Sequence, residues 1–227
     1  MTSINISLDA AAGYIVSDGL GYDAHRGGAT CCITKVIALP HLRAAVATRG
    51  SALLPQMMFG GLNALPSFES CIAALPVLFA DLLSRLASVD VPLGPEHGTS
   101  EVFLVGWREN GTRPECWFIH AGGQPGEAFK AMPLNGVAPA MDGSSPRLQA
   151  LAASAVDPFD PEPCYWPERD GPELIEGTRS LYGETIGGFC QLTTVARDEI
   201  SMRILRRWPE HVTLAAAQPS PAEGTGR

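Results

Sequence analysis

The side chains able to make or break bonds are few in this chain of 227 residues, and most of them fall outside any working arrangement. Six cysteines (Cys31, Cys32, Cys71, Cys116, Cys164 and Cys190) form no C-x-x-C pair and no secreted-scaffold spacing. They read as free thiols of a reducing cytoplasm. The five histidines are scattered, so no set of zinc ligands forms with the cysteines, and neither a metal nor another cofactor is implied. Asp157, Asp160 and Glu162 are spaced like a solvated loop, not a carboxylate dyad. His120, Trp107 and Trp117 read as strand-face packing. Lysine stands out, because only Lys35 and Lys130 among the sixteen basic residues are lysines. A desolvated ammonium can lower a neighbour's pKa or serve as a base, which a guanidinium cannot do. Taken singly, Thr2 is the second residue of a first strand, Asp18-Gly19 a turn former, and Ser144 a helix N-cap after Gly143.

Bulk composition narrows the classes further. With 45% hydrophobic and 18% charged residues, the chain suits one large domain with a sizeable core. A formal charge of −8 argues against phosphate backbones and anionic membranes as partners. The N-terminus MTSINISLDAAAGYIV has no basic region and no long apolar run, so no signal peptide is expected. No segment reaches the roughly 18–20 uninterrupted apolar residues of a membrane helix. A cytoplasmic location is the expectation.

Several elements must position these residues. Residues 3–8 and 13–17 are short β-type runs around a small-residue turn, a hairpin ended by Asp18-Gly19-Leu20-Gly21. TCCITKVIAL (30–39) reads as one β-type run and RAAVAT (43–48) as a short strand closed by Arg49-Gly50. Apolar residues then recur at helical spacing over 51–59 and 67–88, with Ser67 as N-cap, Ser70 at N3, and Pro76 expected to kink or break the second helix. Residues 101–121 form a hairpin around Asn110-Gly111, a dipeptide that tolerates positive φ in a tight turn. Helices are expected over 145–156 and near 171–182, the second with Pro172 in its first turn. A last hairpin turns at Arg197-Asp198-Glu199, and the Ala/Pro/Gly/Ser-rich tail, 209–227, reads as disordered beyond a domain spanning 1–208. Antiparallel strands and helices in separate blocks mean α+β.

Over most of residues 2–208 the sequence resembles a proteasome β-type subunit or its bacterial ATP-dependent protease relative. In that family a threonine follows the removed leader and an Asp-Gly lies sixteen residues later; Thr2 and Asp18-Gly19 have that separation. Lys35-Val36 in TKVIAL matches the family's lysine before an apolar strand, and AAVATRGSA its small-residue strand and glycine turn. Gly143-Ser144 resembles the Gly-Ser before a helix, and Gly187-Gly188 the start of the last hairpin. The resemblance implies an αββα four-layer sandwich of two antiparallel sheets, of the N-terminal-nucleophile hydrolase type.

It also implies a chemistry. Removal of Met1 would expose Thr2, whose hydroxyl is the nucleophile and whose α-amine takes the proton. Lys35 would tune the nucleophile, Asp18 hold the lysine charged and oriented, and Ser144 complete the hydrogen bonding around the amine. Backbone N–H groups at Thr48, Arg49 and Gly50 would form the oxyanion hole. A peptide or amide would be hydrolysed through an acyl-threonine ester, inside a homo-oligomer. The sequence also departs from the family. Active members carry an Asp and a Ser before the last Gly-Gly, where this chain has Tyr182-Gly183-Glu184-Thr185-Ile186, with Glu184 or Thr185 a partial substitute. Thr48-Arg49 sits where a glycine leaves room for substrate, so Arg49 would select acidic side chains or block the cleft. Those departures, and displacement of the α-amine if Met1 is retained, favour the alternative of a non-catalytic subunit in a ring or phage-type particle. A small-molecule amidase of the same superfamily is a third reading.

Overall fold

The alternation Ser3-Ile4-Asn5-Ile6-Ser7 sets the first strand's two faces and, through them, the layout of the chain. A computed structural model describes residues 2–23, 28–88, 100–122, 128–139, 145–156 and 165–210. β1 (Ile4–Leu8) and β2 (Ala12–Asp18) form the expected hairpin, paired Ile4 to Ser17. Asp9 shapes the turn: its Oδ1 accepts the Ala11 and Ala12 N–H groups, each at 2.7 Å. β2 then pairs with β10 (Phe189–Ala196), and β10 with β11 (Ile200–Arg207), giving a four-stranded antiparallel sheet in the order β1-β2-β10-β11. The second hairpin closes at the expected turn, where the Ala196 N–H donates to the Glu199 carbonyl at 2.9 Å.

The run 30–39 is not one strand. Its first part belongs to β4 (Gly28–Cys32), which pairs with β3 (Leu20–Asp23) in a separate two-stranded sheet. Its second part is β5 (Val36–Leu39), the edge of a five-stranded antiparallel sheet. That sheet continues through β6 (Ala44–Arg49), β7 (Glu101–Gly106), β8 (Glu115–His120) and β9 (Met132–Leu134). The chain changes sheets at Ile33-Thr34-Lys35, a break that continuous β propensity hides. The β7–β8 hairpin also differs from expectation. Asn110-Gly111 lies in a longer connection where the Gly111 N–H meets the Arg108 carbonyl at 3.1 Å, and neither residue takes a positive φ.

One hydrophobic cluster draws on both large sheets: Ile4, Ile6, Ile15 and Val195 from one, and Ala47, Phe103 and Val105 among those from the other. Gly13 lets the strands come this close, since a Cβ there would sit 2.4 Å from Val105 Cγ1. A second cluster joins β6 and β7 to α1 (Leu54–Leu62) and α2 (Phe68–Ser88). The Ser70 N–H donates to Ser67 Oγ at 3.1 Å, as an N-cap requires. α2 runs unbroken through Pro76, whose flanking Leu75 and Phe79 are fully buried against the sheet and hold both halves in line. Among the described residues α2 is the one helix long and apolar enough to cross a membrane; it buries six side chains and leaves Val77 76% exposed.

α3 (Pro146–Val156) and α4 (Pro167–Tyr182) pack on the helix-facing side of β1, β2 and β10 through Leu151, Tyr165, Leu174, Ile175 and Trp208. α4 starts earlier than expected, at Pro167, with Pro172 inside it. The reason is Asp170, whose carboxylate reaches back to the Trp166 N–H at 2.7 Å. Burial opposes ionisation of Asp170, but hydrogen bonds from Arg169 and the Trp166 N–H outweigh it and hold the carboxyl below its usual range. Its stabilising contribution is complete above the unfolded carboxyl pKa and fades as pH falls through the lower folded value. Asp170→Ala is therefore expected to cost about 1–2 kcal/mol at neutral pH. In urea titrations the gap to the native chain narrows as pH falls below the ordinary carboxyl range.

Candidate active site

Asp18 ends β2 with no solvent exposure, and an unpaired carboxylate there would be prohibitively costly. Four donors make five hydrogen bonds to it. Lys35 Nζ lies 2.8 Å from each carboxylate oxygen, the Ser3 N–H reaches Oδ1 at 2.9 Å, and the Leu20 and Gly187 N–H groups reach Oδ2 at 3.2 and 3.4 Å. Lys35 is itself 4% exposed, buried rather than solvated, in the connection between β4 and β5. The Ser3 N–H belongs to the Thr2–Ser3 peptide and shares Oδ1 with Lys35. Nζ thus lies within two hydrogen-bond lengths of the residue that follows Thr2.

Thr2, Lys35, Thr48 and Gly50 line one cleft of about 60 Å³, together with Tyr22, Ile33 and Pro55 among others. Gly50 takes φ +115°, and a Cβ there would meet Ser100 Oγ at 2.6 Å, so this turn admits glycine alone. The Thr48 N–H donates to the Lys35 carbonyl at 3.2 Å, which leaves Gly50 as the expected donor on the cleft rim. Gly143 and Ser144 lie outside the described residues.

Arg49 does not enter the cleft. Strand alternation turns it to the other face of β6 from Thr48. There Nη1 meets Glu101 Oε2 at 2.7 Å, Nη2 donates to the Ile4 carbonyl at 3.0 Å, and the guanidinium lies 5.3 Å from the Phe103 ring centre. Ile4 is on β1, an edge strand whose outer side is otherwise held by the Ile6–Val137 backbone pair. Arg49 therefore fastens β1, which begins two residues after Thr2, to the second sheet. Glu184 is exposed, and the Thr185 hydroxyl donates to the Tyr182 carbonyl at 2.9 Å.

Other contributors carried little signal in the sequence. Ser3 Oγ donates to Thr178 Oγ1 at 3.0 Å, tying β1 to α4. Arg179 donates to the Ile186 carbonyl at 2.7 Å and to Glu210, and it lies 5.0 Å from the Trp208 ring centre, which fixes the segment presenting the Gly187 N–H. Cys190 faces Asp18 across the β2–β10 ladder. Burial first, then the Asp18 charge, push its thiol up to about 12, so it is protonated and inert at neutral pH. Among the described residues no group of three or more His, Cys, Asp or Glu side chains is placed to hold a metal.

No protein-family model and no curated protein matches the chain. Function must be read from the residues themselves.

Removing one partner of the Asp18–Lys35 pair strands the other's buried charge, so Asp18→Ala and Lys35→Met are each expected to cost about 3–5 kcal/mol. The double variant should lose clearly less than the sum in chemical denaturation; additive losses would refute the coupling. Arg49→Ala is expected to speed hydrogen exchange of the Ser3 amide about 10-fold while leaving β10 unchanged, as followed by NMR.

Proposed function

We propose that the chain is a proteasome-like N-terminal-nucleophile hydrolase, a four-layer αββα sandwich that hydrolyses peptide or amide bonds through Thr2 once Met1 is removed. The layering is supported by the cluster common to the two large sheets, with α1 and α2 packed against one sheet and α3 and α4 against the other. The observation that carries the chemistry is the buried Asp18 carboxylate, which joins Lys35 and the Thr2–Ser3 peptide beside a cleft lined by Thr2.

In this reading the Thr2 hydroxyl attacks the substrate carbonyl and its proton passes to the freed α-amine. The negative oxygen of the tetrahedral intermediate is met by the Gly50 N–H, and the Lys35 ammonium stabilises charge developing at the threonine oxygen. The amine product leaves with the proton from the α-amine, and the acyl-threonine ester remains. Water, deprotonated by the same amine, then cleaves the ester and restores Thr2. Asp18 anchors Lys35 throughout, and Ser144 supports the amine. The enzyme works in the cytoplasm as a homo-oligomer and needs no cofactor.

A second reading, a non-catalytic subunit of the same fold in a larger assembly, is favoured by the cleft's small size and by the absence of an Asp and Ser beside Gly187. Intact mass of protein purified without an N-terminal tag separates the two. Loss of one methionine is expected for the hydrolase. Thr2→Ala should then abolish labelling by a threonine-directed electrophile and reduce peptide turnover by at least about 10³-fold, with its melting temperature unchanged. Retained Met1 with no turnover would leave the subunit reading standing, and a fully active Thr2→Ala would refute Thr2 as the nucleophile.

A further inference from the structure

A second concavity lies at the opposite end of β1 from Thr2. It measures about 350 Å³, within the lower range of small-molecule sites, and opens between the rims of the two large sheets. Leu8 and Ala10 come from the β1–β2 hairpin, while Pro114, Trp117, Pro133 and Leu134 come from β8, β9 and their approaches. These walls are apolar. The buried Cys116 thiol in the lining is raised to about 12 by burial, so the site offers no nucleophile at neutral pH.

The charged groups in this pocket are not equivalent. Asp9 is used inside the hairpin, by the Ala11 and Ala12 N–H groups on Oδ1 and by the Tyr14 hydroxyl on Oδ2 at 3.1 Å. Glu115 is used as well: Oε1 takes Arg108 Nε at 2.7 Å, and Oε2 takes the Trp117 indole N–H at 2.8 Å. Both carboxylates are thus committed within the fold. Arg108, by contrast, commits only Nε. Among the described residues its terminal guanidinium nitrogens make no hydrogen bond, and its Cζ lies 5.9 Å from the Trp117 ring centre. Arg113 lines the same pocket, and its charge helps depress the Glu115 carboxyl. Glu115 is therefore a clamp that orients both an indole face and a guanidinium fork.

We propose that this pocket binds a small carboxylic acid with a flat apolar body. The body lies between the Leu8 and Leu134 walls, and the carboxylate meets the terminal N–H groups of Arg108. The cationic rim also answers an electrostatic requirement, because a chain of net charge −8 repels anions elsewhere on its surface. The site is separate from the Thr2 cleft and independent of the hydrolase reading.

Indole-3-acetate and its neutral analogue indole-3-acetamide test the proposal by thermal shift and by titration calorimetry on the full chain. The acid is expected to raise Tm by about 2–4 °C at roughly ten times its Kd, and the amide by clearly less. Arg108→Gln should erase the preference for the acid. Ala10→Phe, at an exposed turn position, should fill the pocket and abolish both responses while leaving the unliganded Tm near its native value. Equal responses to acid and amide, no response to either, or a response to the acid that survives Ala10→Phe would each overturn the proposal.

Discussion

A single carboxylate with no access to water sets the terms for the rest of this molecule. Asp18 keeps its charge underground only because an ammonium and three backbone N–H groups are delivered to it from four places in the chain. Those places are the start of β1, the turn after β2, the connection between β4 and β5, and the glycines before β10. None of them is near another in sequence except the first hairpin and its turn. The paired sheets and the break at Ile33-Thr34-Lys35 are what bring them together. The polar face of β1, which looks wasteful for a core strand, serves the same end: Ser3 ties to Thr178, and Asn5 binds the Val137 carbonyl and the Tyr165 hydroxyl.

Two arginines guard the carboxylate's surroundings with the same three-part device. Arg49 combines a carboxylate (Glu101), an aromatic face (Phe103) and the backbone carbonyl of Ile4, one residue beyond Ser3. Arg179 combines Glu210, Trp208 and the carbonyl of Ile186, one residue before Gly187. Each guanidinium neutralises its charge locally and gives one terminal N–H group to a backbone carbonyl. A lysine has one nitrogen and no flat face, so it could not fill either position. The bias of the chain toward arginine thus has structural work at these two points.

What the sequence disclosed follows from the range of the interactions involved. Hairpins whose partners lie within a few residues were readable from alternation and turn residues, as with Ile4/Ile6 against Ser3/Asn5 and with Arg197-Asp198-Glu199. The Ser67 cap was readable because its acceptor and donor are three positions apart. Lys35 and Asp18 drew notice through scarcity and spacing, and it was the family resemblance, not the spacing, that put the carboxylate beside the ammonium. The division of 30–39 between two sheets was not readable, since a β-type run carries no mark of which neighbours it will pair with. Nor were Ser3 to Thr178 or Arg49 to Ile4, contacts bridging 175 and 45 positions. The start of α4 was missed for a different reason: two prolines competed for the first-turn position, and Asp170 decided between them through a backbone contact.

The pairing of β2 with β10 has a consequence for how the chain reaches this state. Gly187 donates to a carboxylate 169 positions upstream, and the central ladder of the first sheet joins the second strand made to the tenth. A nascent chain emerging from the ribosome carries its first hairpin with one long edge unpaired until β10 emerges. That edge closes only when the last hairpin is released. Such high contact order makes the final step of folding slow. It also makes the Asp18 environment wait for Gly187 and β10, so that whatever these groups do is withheld until that distant segment has been built.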